Sequence, residues 1–361
     1  MMHIKILDRY IIRKFLGTFF LTLALFILIA IVFDVTEKLE DFLDGDVPLS
    51  EIIFDYYFNF IPYFAVLFTP LFLFVAVIFF TSRMAYRSEI IAILNSGITF
   101  NRMLLPYMIA AGIVAALNIY ANHWLIPNAN KTRIAFEDEY IGYRPRNTGR
   151  DIHMQIAKDQ FIYLESFNFD DSTGYKFSYE IFNNGSLVYK IRSEKIKWDH
   201  SKQQWLLKNF MVRTNNDMQE TLKTGRDTLI SYGFQVKDFE KKLNEVFTMN
   251  ARELNEVINE LTLRGADNIA FYEVEKYKRT AFPFAIFILT LIGVSLASRK
   301  VRGGIGLHIG IGITISFAYI LFQQFSQTFS TNGDLPAVVG VWIPNIIFGV
   351  VAVVLYRGAP K

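Results

Sequence analysis

TSRMAYRSEIIAILNSGITFNR, residues 81–102, lies between two long apolar runs yet carries Arg83, Arg87, Glu89 and Arg102. Its apolar residues recur at helical spacing: Met84, then Ile90 and Ile91, then Leu94. That is the pattern of a short amphipathic helix. A helix of this kind between two apolar runs belongs at a membrane surface, so the runs on either side decide the fold.

About 18 or more apolar residues suffice to cross a bilayer as a helix. Six runs qualify: 15–33, 56–80, 103–126, 280–298, 303–325 and 337–356. Asn118, Asn122 and His123 dilute the far end of the third. Only Arg299, Lys300, Val301 and Arg302 separate the fourth from the fifth, so these two form a hairpin. Of the 361 residues 52% are hydrophobic, as six spans require. The first run is longer than a signal-peptide core, is followed by acidic residues and has no small-residue cleavage pattern, so it is expected to be a retained span.

The net charge of +3 points to orientation rather than to nucleic acid once the charges are placed. Lys5, Arg9, Arg13 and Lys14 precede the first run, and Arg83, Arg87 and Arg102 lie between the second and third. Arg299, Lys300 and Arg302 lie between the fourth and fifth, and Arg357 and Lys361 follow the sixth. With six crossings all of these fall on one side. The segment after the first run is acidic instead, with Asp34, Glu37, Glu40, Asp41, Asp44, Asp46 and Glu51 against Lys38. The positive-inside rule therefore puts both termini and residues 81–102 in the cytoplasm.

Between the third and fourth runs lies a polar insertion, which this topology makes extracytoplasmic. Segments 160–167, 175–182, 186–192, 194–199 and 204–213 alternate aromatic and β-branched residues with polar ones. Turns such as Asn183-Asn184-Gly185 divide them. Several short strands at this spacing form a sandwich, a jelly roll or an open barrel. A helix follows, with Leu254, Val257, Ile258 and Leu261 on one face, Asn250 as cap and Gly265 as stop. The expected fold class is thus a membrane α-helical protein of six transmembrane helices with an inserted extracytoplasmic all-β domain. Its parts are 1–126 (the first three spans, with the amphipathic helix at about 83–97), 127–247 (the β domain), 248–279 (helix and linker) and 280–361 (the last three spans).

No enzyme is legible. There is no GxxxxGK[ST] loop to cradle phosphates and no HExxH pair, and the chain has no cysteine for thiol chemistry, a disulfide or a Cys-ligated metal. His123 and His308, near or within spans, have no acidic partner nearby in sequence and read as hydrogen-bonding residues at helix contacts. Glycines four apart, Gly306 and Gly310, allow close helix approach, either inside this chain or as a seam against another subunit. Lys38, Lys131, Arg133, Lys276, Lys278 and Arg279 stand on the outer side against the charge rule. Each alone reads as a snorkelling side chain; gathered round one cavity they would bind phosphorylated headgroups. Pro62, Pro70 and Pro283 fit kinked spans beside a cavity. A short cytoplasmic helix with one apolar face is a shape that docks into a groove on a soluble partner. Without a nucleotide site of its own, a membrane protein has most use for such a helix if that partner is an ATPase.

LDRYI (7–11) before the first run, RSEI…NSG (87–97), the β-rich insertion, and Arg279 with Pro283 at the fourth run resemble the LptF/LptG (YjgP/YjgQ) permeases over essentially the whole chain. LDRYI leans towards LptG and DGDVP (44–48) towards LptF. The resemblance implies a lipopolysaccharide export permease of the bacterial inner membrane, an ABC transporter subunit that takes no cofactor itself. ATP and Mg would be bound by its partner, an LptB-like ATPase dimer. A second LptF/LptG-type subunit, LptC- and LptA-like periplasmic proteins and lipopolysaccharide would be its other partners, and the insertion would be a periplasmic β-jellyroll. Residues 81–102 would hold the coupling helix, with Arg83, Arg87, Ser88, Glu89, Asn95 and Gly97 at the ATPase and Glu89 facing it. Lys38, Lys131, Arg133 and Arg279 are the corresponding lipid-binding candidates, although the family's basic residue at the outer end of span one is here Asp34. Spans one and five would form the lateral gate, with Gly306 and Gly310 packing there. A different class of function, a membrane-anchored binding or scaffold protein whose β domain captures a ligand, would have no use for the amphipathic helix.

Overall fold

The structure is a computed structural model describing residues 5–141, 150–157, 159–168, 171–183, 185–216, 219–232, 234–236, 245–264, 269–299 and 304–359. Asn184, Gly265, Lys300, Val301, Arg302, Gly303 and Lys361, used in the sequence reading, lie outside them. The chain divides into two compact units, residues 1–142, 246–255 and 270–361 in one, and 143–245 with 256–269 in the other.

The first unit is a bundle of six helices long and apolar enough to cross a membrane. These are α1 (Ile6–Asp44), α2 (Leu49–Tyr86), α4 (Phe100–Ile141), α6 (Ile269–Ala297), α7 (Gly304–Thr331) and α8 (Ala337–Arg357), with the short α3 (Glu89–Asn95) between α2 and α4. With 39 residues, α1 is about 58 Å long. It therefore carries polar turns beyond the hydrocarbon at both ends, which an apolar-run count does not register. Likewise α4 runs past the polar interruption at Asn118 and Asn122, because Asn122 Nδ2 donates to the Asn118 carbonyl (2.9 Å) and Oδ1 (2.7 Å) inside the bundle.

Burial is unequal among the helices. The apolar windows of α2 and α6 are 56% and 61% buried, that of α1 only 17% and that of α7 28%. So α2 and α6 form the centre, and α1 and α7 present apolar flanks. One core cluster joins α1, α2 and α4 through Phe15, Val77, Tyr107 and Ala110. A second joins α2, α6, α7 and α8 through Phe74, Leu289, Tyr319 and Phe348. Close approach in the second depends on Gly293, where an added Cβ would lie 2.8 Å from Val77, and on Gly312, where it would lie 2.3 Å from Ile78. His308 bonds to Ser82 at 2.9 Å, tying α7 to α2 as a buried helix-contact residue.

The second unit is an antiparallel sheet of six strands: β1 Arg150–Ala157, β2 Gln160–Asn168, β3 Thr173–Asn183, β4 Ser186–Asp199, β5 Gln204–Asn216 and β6 Gln219–Ile230. They pair in consecutive order, a meander, whereas a jelly roll needs crossing connections between two sheets. The segments expected at 186–192 and 194–199 are one strand. Their buried residues change parity inside it, from Ile191 and Ser193 to Ile196 and Trp198. The same change crosses β2 (Ile162 and Leu164, then Phe167). Lys176 and Asn209 sit on this line with positive φ, 52° and 51°. Ser193 Oγ, 2.9 Å from the Lys195 carbonyl and 2.6 Å from that of Lys208, satisfies backbone oxygens there. Behind the sheet, Trp205 is fully buried and its indole N–H donates to the Phe234 carbonyl at 3.1 Å.

Candidate functional site

At the arginine-bearing end of the bundle, residues 81–102 are three pieces rather than one helix at 83–97. α2 ends at Tyr86, Ser88 takes a left-handed turn (φ 61°), and α3 restarts the helical phase at Glu89. Gly97, with φ +86°, closes α3, and the Thr99 side chain caps α4 by accepting from the Arg102 N–H at 3.4 Å. Because the phase restarts, the apolar residues separate. Ile90 is buried, Ile93 and Leu94 pack against the core, and Ile91 is exposed with Asn95. Arg83 and Arg87 are exposed as well.

Two residues of the LDRYI stretch hold this segment. Asp8 accepts from both terminal nitrogens of Arg102, at 2.6 and 2.7 Å, and from the Lys5 N–H at 2.8 Å. The Tyr10 hydroxyl donates to Glu89 at 3.3 Å, and the next residue, Ile11, is fully buried. The foot of α1 is therefore fastened to both ends of the connection between α2 and α4. Sequence reasoning missed Asp8 and Tyr10 as site residues, since their partners are 94 and 79 positions away.

At the opposite end, Lys38 and Arg133 come together. Lys38 Nζ is 3.0 Å from Asp34 and 3.8 Å from Glu137, and Arg133 Nε is 3.8 Å from the same Glu137 oxygen. Tyr56 and Tyr57 donate to the two Asp34 oxygens at 3.2 and 3.1 Å, and Lys38 also bonds the Tyr56 hydroxyl. The Arg133 guanidinium lies over the Tyr63 ring, 5.1 Å from its centre. Both carboxylates bracket a π-helical turn's neighbourhood: Tyr56 and Tyr57 belong to the one at Ile52–Tyr57, and Glu137 opens the one at Glu137–Ile141. The i,i+4 spacings of Asp34 with Lys38 and of Arg133 with Glu137 were readable in sequence. The meeting of the two pairs was not.

The other two lipid candidates have partners of their own. Lys131 pairs with Glu253 at 3.1 Å. Arg279 is buried and donates to the carbonyls of Met249 (2.6 Å) and Val246 (2.9 Å), with Glu275 at 3.4 Å. Arg279 and Lys278 nevertheless line a small cavity of about 40 Å³ with Asn122, Tyr63 and Phe282. Gly306 and Gly310 have nothing within 4 Å of an added Cβ, so neither packs against a helix of this chain. On the sheet, Glu165, Lys176, Glu194 and Asn209 lie along the parity change and line a groove of about 740 Å³. Its charges are mostly paired with each other, Lys190 with Glu180 at 2.5 Å and Lys176 with Glu165, while the Asn209 amide donates to Glu194 at 2.7 Å.

Among the described residues no group of three or more His, Asp or Glu side chains could hold a metal ion. Compared with known families, residues 9–358 match the one described as Lipopolysaccharide export system permease LptF/LptG. No curated protein matches the chain.

Proposed function

The chain belongs to the lipopolysaccharide export system permease family LptF/LptG, and on that premise we propose that it is one of two six-span subunits of an ABC-type exporter. It is a multi-pass lipopolysaccharide export permease and part of an Lpt export complex. In the proposed arrangement it lies in the inner membrane with both termini cytoplasmic and its sheet in the periplasm. A cytoplasmic LptB-like ATPase supplies the energy, and LptC- and LptA-like proteins receive the lipid.

One observation carries the coupling part of this reading: α3 is joined to α1 rather than hanging between α2 and α4. Ile90 anchors it in the core, Glu89 is bonded to Tyr10, and Arg102 grips Asp8. Ile91 and Asn95 on α3, with Arg83 at the end of α2 and Arg87 in the turn, are the exposed surface offered to the ATPase, and Ser88 and Gly97 set where α3 starts and stops. A push on α3 is passed to the foot of α1, the most exposed span. At the other end of the same helix, Lys38 with Arg133 forms the lipid-facing pair, and Lys131 and Arg279 brace the wall behind it.

The test is co-purification in mild detergent with the ATPase and the second permease subunit. Glu89→Ala and Glu89→Arg are expected to lose the ATPase or its coupling to export while the thermal midpoint stays unchanged. Unchanged capture together with unchanged export would sink the coupling role.

A further inference from the structure

The cation pair at the outer end of α1 and α4 already has an anion between its members. We propose that Glu137 is an exchangeable counter-anion, held between Lys38 and Arg133 until the phosphomonoester of a lipid headgroup takes its place, and that the exchange spaces the end of α4 more widely from α1. The inference rests on the reading of Lys38 and Arg133 as the lipid-facing pair and adds how that site is kept closed.

Three features single out Glu137. A single oxygen, Oε1, stands 3.8 Å from Lys38 Nζ and 3.8 Å from Arg133 Nε. Both separations exceed hydrogen-bond length, so the carboxylate compensates charge without satisfying donors. Indeed Arg133 Nε is buried with no hydrogen-bond partner. A phosphomonoester brings three acceptor oxygens and a charge of about −1.5 to −2, against −1 for a carboxylate.

The two carboxylates of the cluster are also unlike in how firmly they are held. Asp34 is fixed by Lys38 at 3.0 Å and by the hydroxyls of Tyr56 and Tyr57. Among the described residues Glu137 has just the two long ion pairs, and it sits at the first position of a π-turn. Asp34, Lys38, Arg133 and Glu137 sum to zero charge. Departure of Glu137 alone leaves one positive charge uncompensated, which the incoming phosphate meets. Since Lys38 is on α1 and Arg133 and Glu137 are on α4, the exchange replaces a link through one shared carboxylate oxygen by one through separate oxygens of a bulkier phosphate, which sets the two cations and their helices farther apart.

The chain has no cysteine, so spin labels can be placed at will. Labels at Leu39→Cys and Asp138→Cys, both exposed, report the distance between α1 and α4 in the full-length chain. It is measured in phosphatidylcholine nanodiscs alone, with phosphatidic acid, or with inorganic phosphate in solution. Phosphatidic acid is expected to lengthen the distance. Glu137→Gln is expected to show the long distance without any phosphate and to bind phosphatidic acid roughly tenfold more tightly, as removal of one nearby negative charge requires. Lengthening by inorganic phosphate too assigns the exchange to the phosphate group itself; lengthening by phosphatidic acid only assigns it to a membrane lipid. The exchange is overturned if Glu137→Gln binds phosphatidic acid no more tightly than the parent, or if phosphatidic acid leaves the distance unchanged. If Lys38→Gln and Arg133→Gln leave phosphatidic acid binding intact, the lipid-facing reading itself fails. A melting curve of Glu137→Gln separates a misfolded variant from an opened one, and Glu137→Asp, which keeps the charge on a shorter arm, is then expected to fall between the two.

Discussion

Arg102 donates two hydrogen bonds to Asp8, 2.6 Å to one carboxylate oxygen and 2.7 Å to the other, across 94 residues of chain. Asp8 is almost wholly buried while Arg102 is about one-third exposed. The pair therefore lies between a surface ion pair of little worth and a buried one whose breakage is severe. Arg102→Gln, which strands the buried carboxylate, is expected to lower the thermal midpoint in detergent. Arg102→Lys keeps the charge but not the fork, and is expected to recover only part of the loss. If the tie transmits force, Arg102→Gln also lowers export per ATP hydrolysed more than it lowers ATPase capture.

The acid limit of stability has a local contributor in α5 (Ala251–Arg264). Asn250 Oδ1 accepts from the N–H groups of Arg252 (2.9 Å) and Glu253 (3.0 Å), and Glu253 accepts from the Asn250 N–H at 2.8 Å, a reciprocal cap. The bond from the Asn250 N–H, followed by Lys131, holds the Glu253 carboxyl below its usual value. A depressed carboxyl pKa stabilises the folded form above the ordinary value of about 4.3, and that contribution disappears as pH falls through the lowered one. The protection factor against hydrogen exchange at the first turn of α5, taken relative to the intrinsic rate at each pH, is therefore expected to fall below about pH 4. Glu253→Gln is expected to have a lower protection factor there at neutral pH and to show little further change in it on acidification.

How far the sequence could be read follows from what each feature depends on. The six spans depend only on runs of apolar residues, and each run of the sequence falls on one observed helix, with Ser298 just past the end of α6 and Gly303 outside the described residues. The break at Ser88 depends on a left-handed serine, which has no signature in residue type, so one amphipathic helix was expected where the chain makes an end, a turn and a seven-residue helix. β4 read as two strands because alternation assumes constant parity, and the sheet changes parity along a line crossing several strands. At the other end of the bundle, the Lys38 and Arg133 candidates were visible as charges that ran against the expected orientation. Asp34 was read as part of an acidic segment and Glu137 was not singled out, because only the packing of α1 against α4 brings Glu137 near Lys38. Arg279 was read for its charge, but its geometry shows what charge alone does not: both terminal nitrogens are used on backbone carbonyls.

The glycines separate packing within this chain from packing against another. At Gly340 an added Cβ would fall 1.7 Å from Ser330 Oγ and 2.9 Å from the Ser326 carbonyl, where α7 and α8 meet. Gly340→Ala is expected to destabilise the chain by about 1–3 kcal/mol, since α7 must shift to admit the methyl group. Gly306→Ala and Gly310→Ala meet nothing within 4 Å and replace glycine by a better helix former. In the isolated chain they are expected to leave the thermal midpoint unchanged or to raise it slightly. If the exposed flank of α7 is the seam with the second permease subunit, the same two substitutions hinder close helix approach there and reduce co-purification of that subunit. A drop in midpoint without loss of the partner would place these glycines in the fold of the single chain instead, against the open space observed around them.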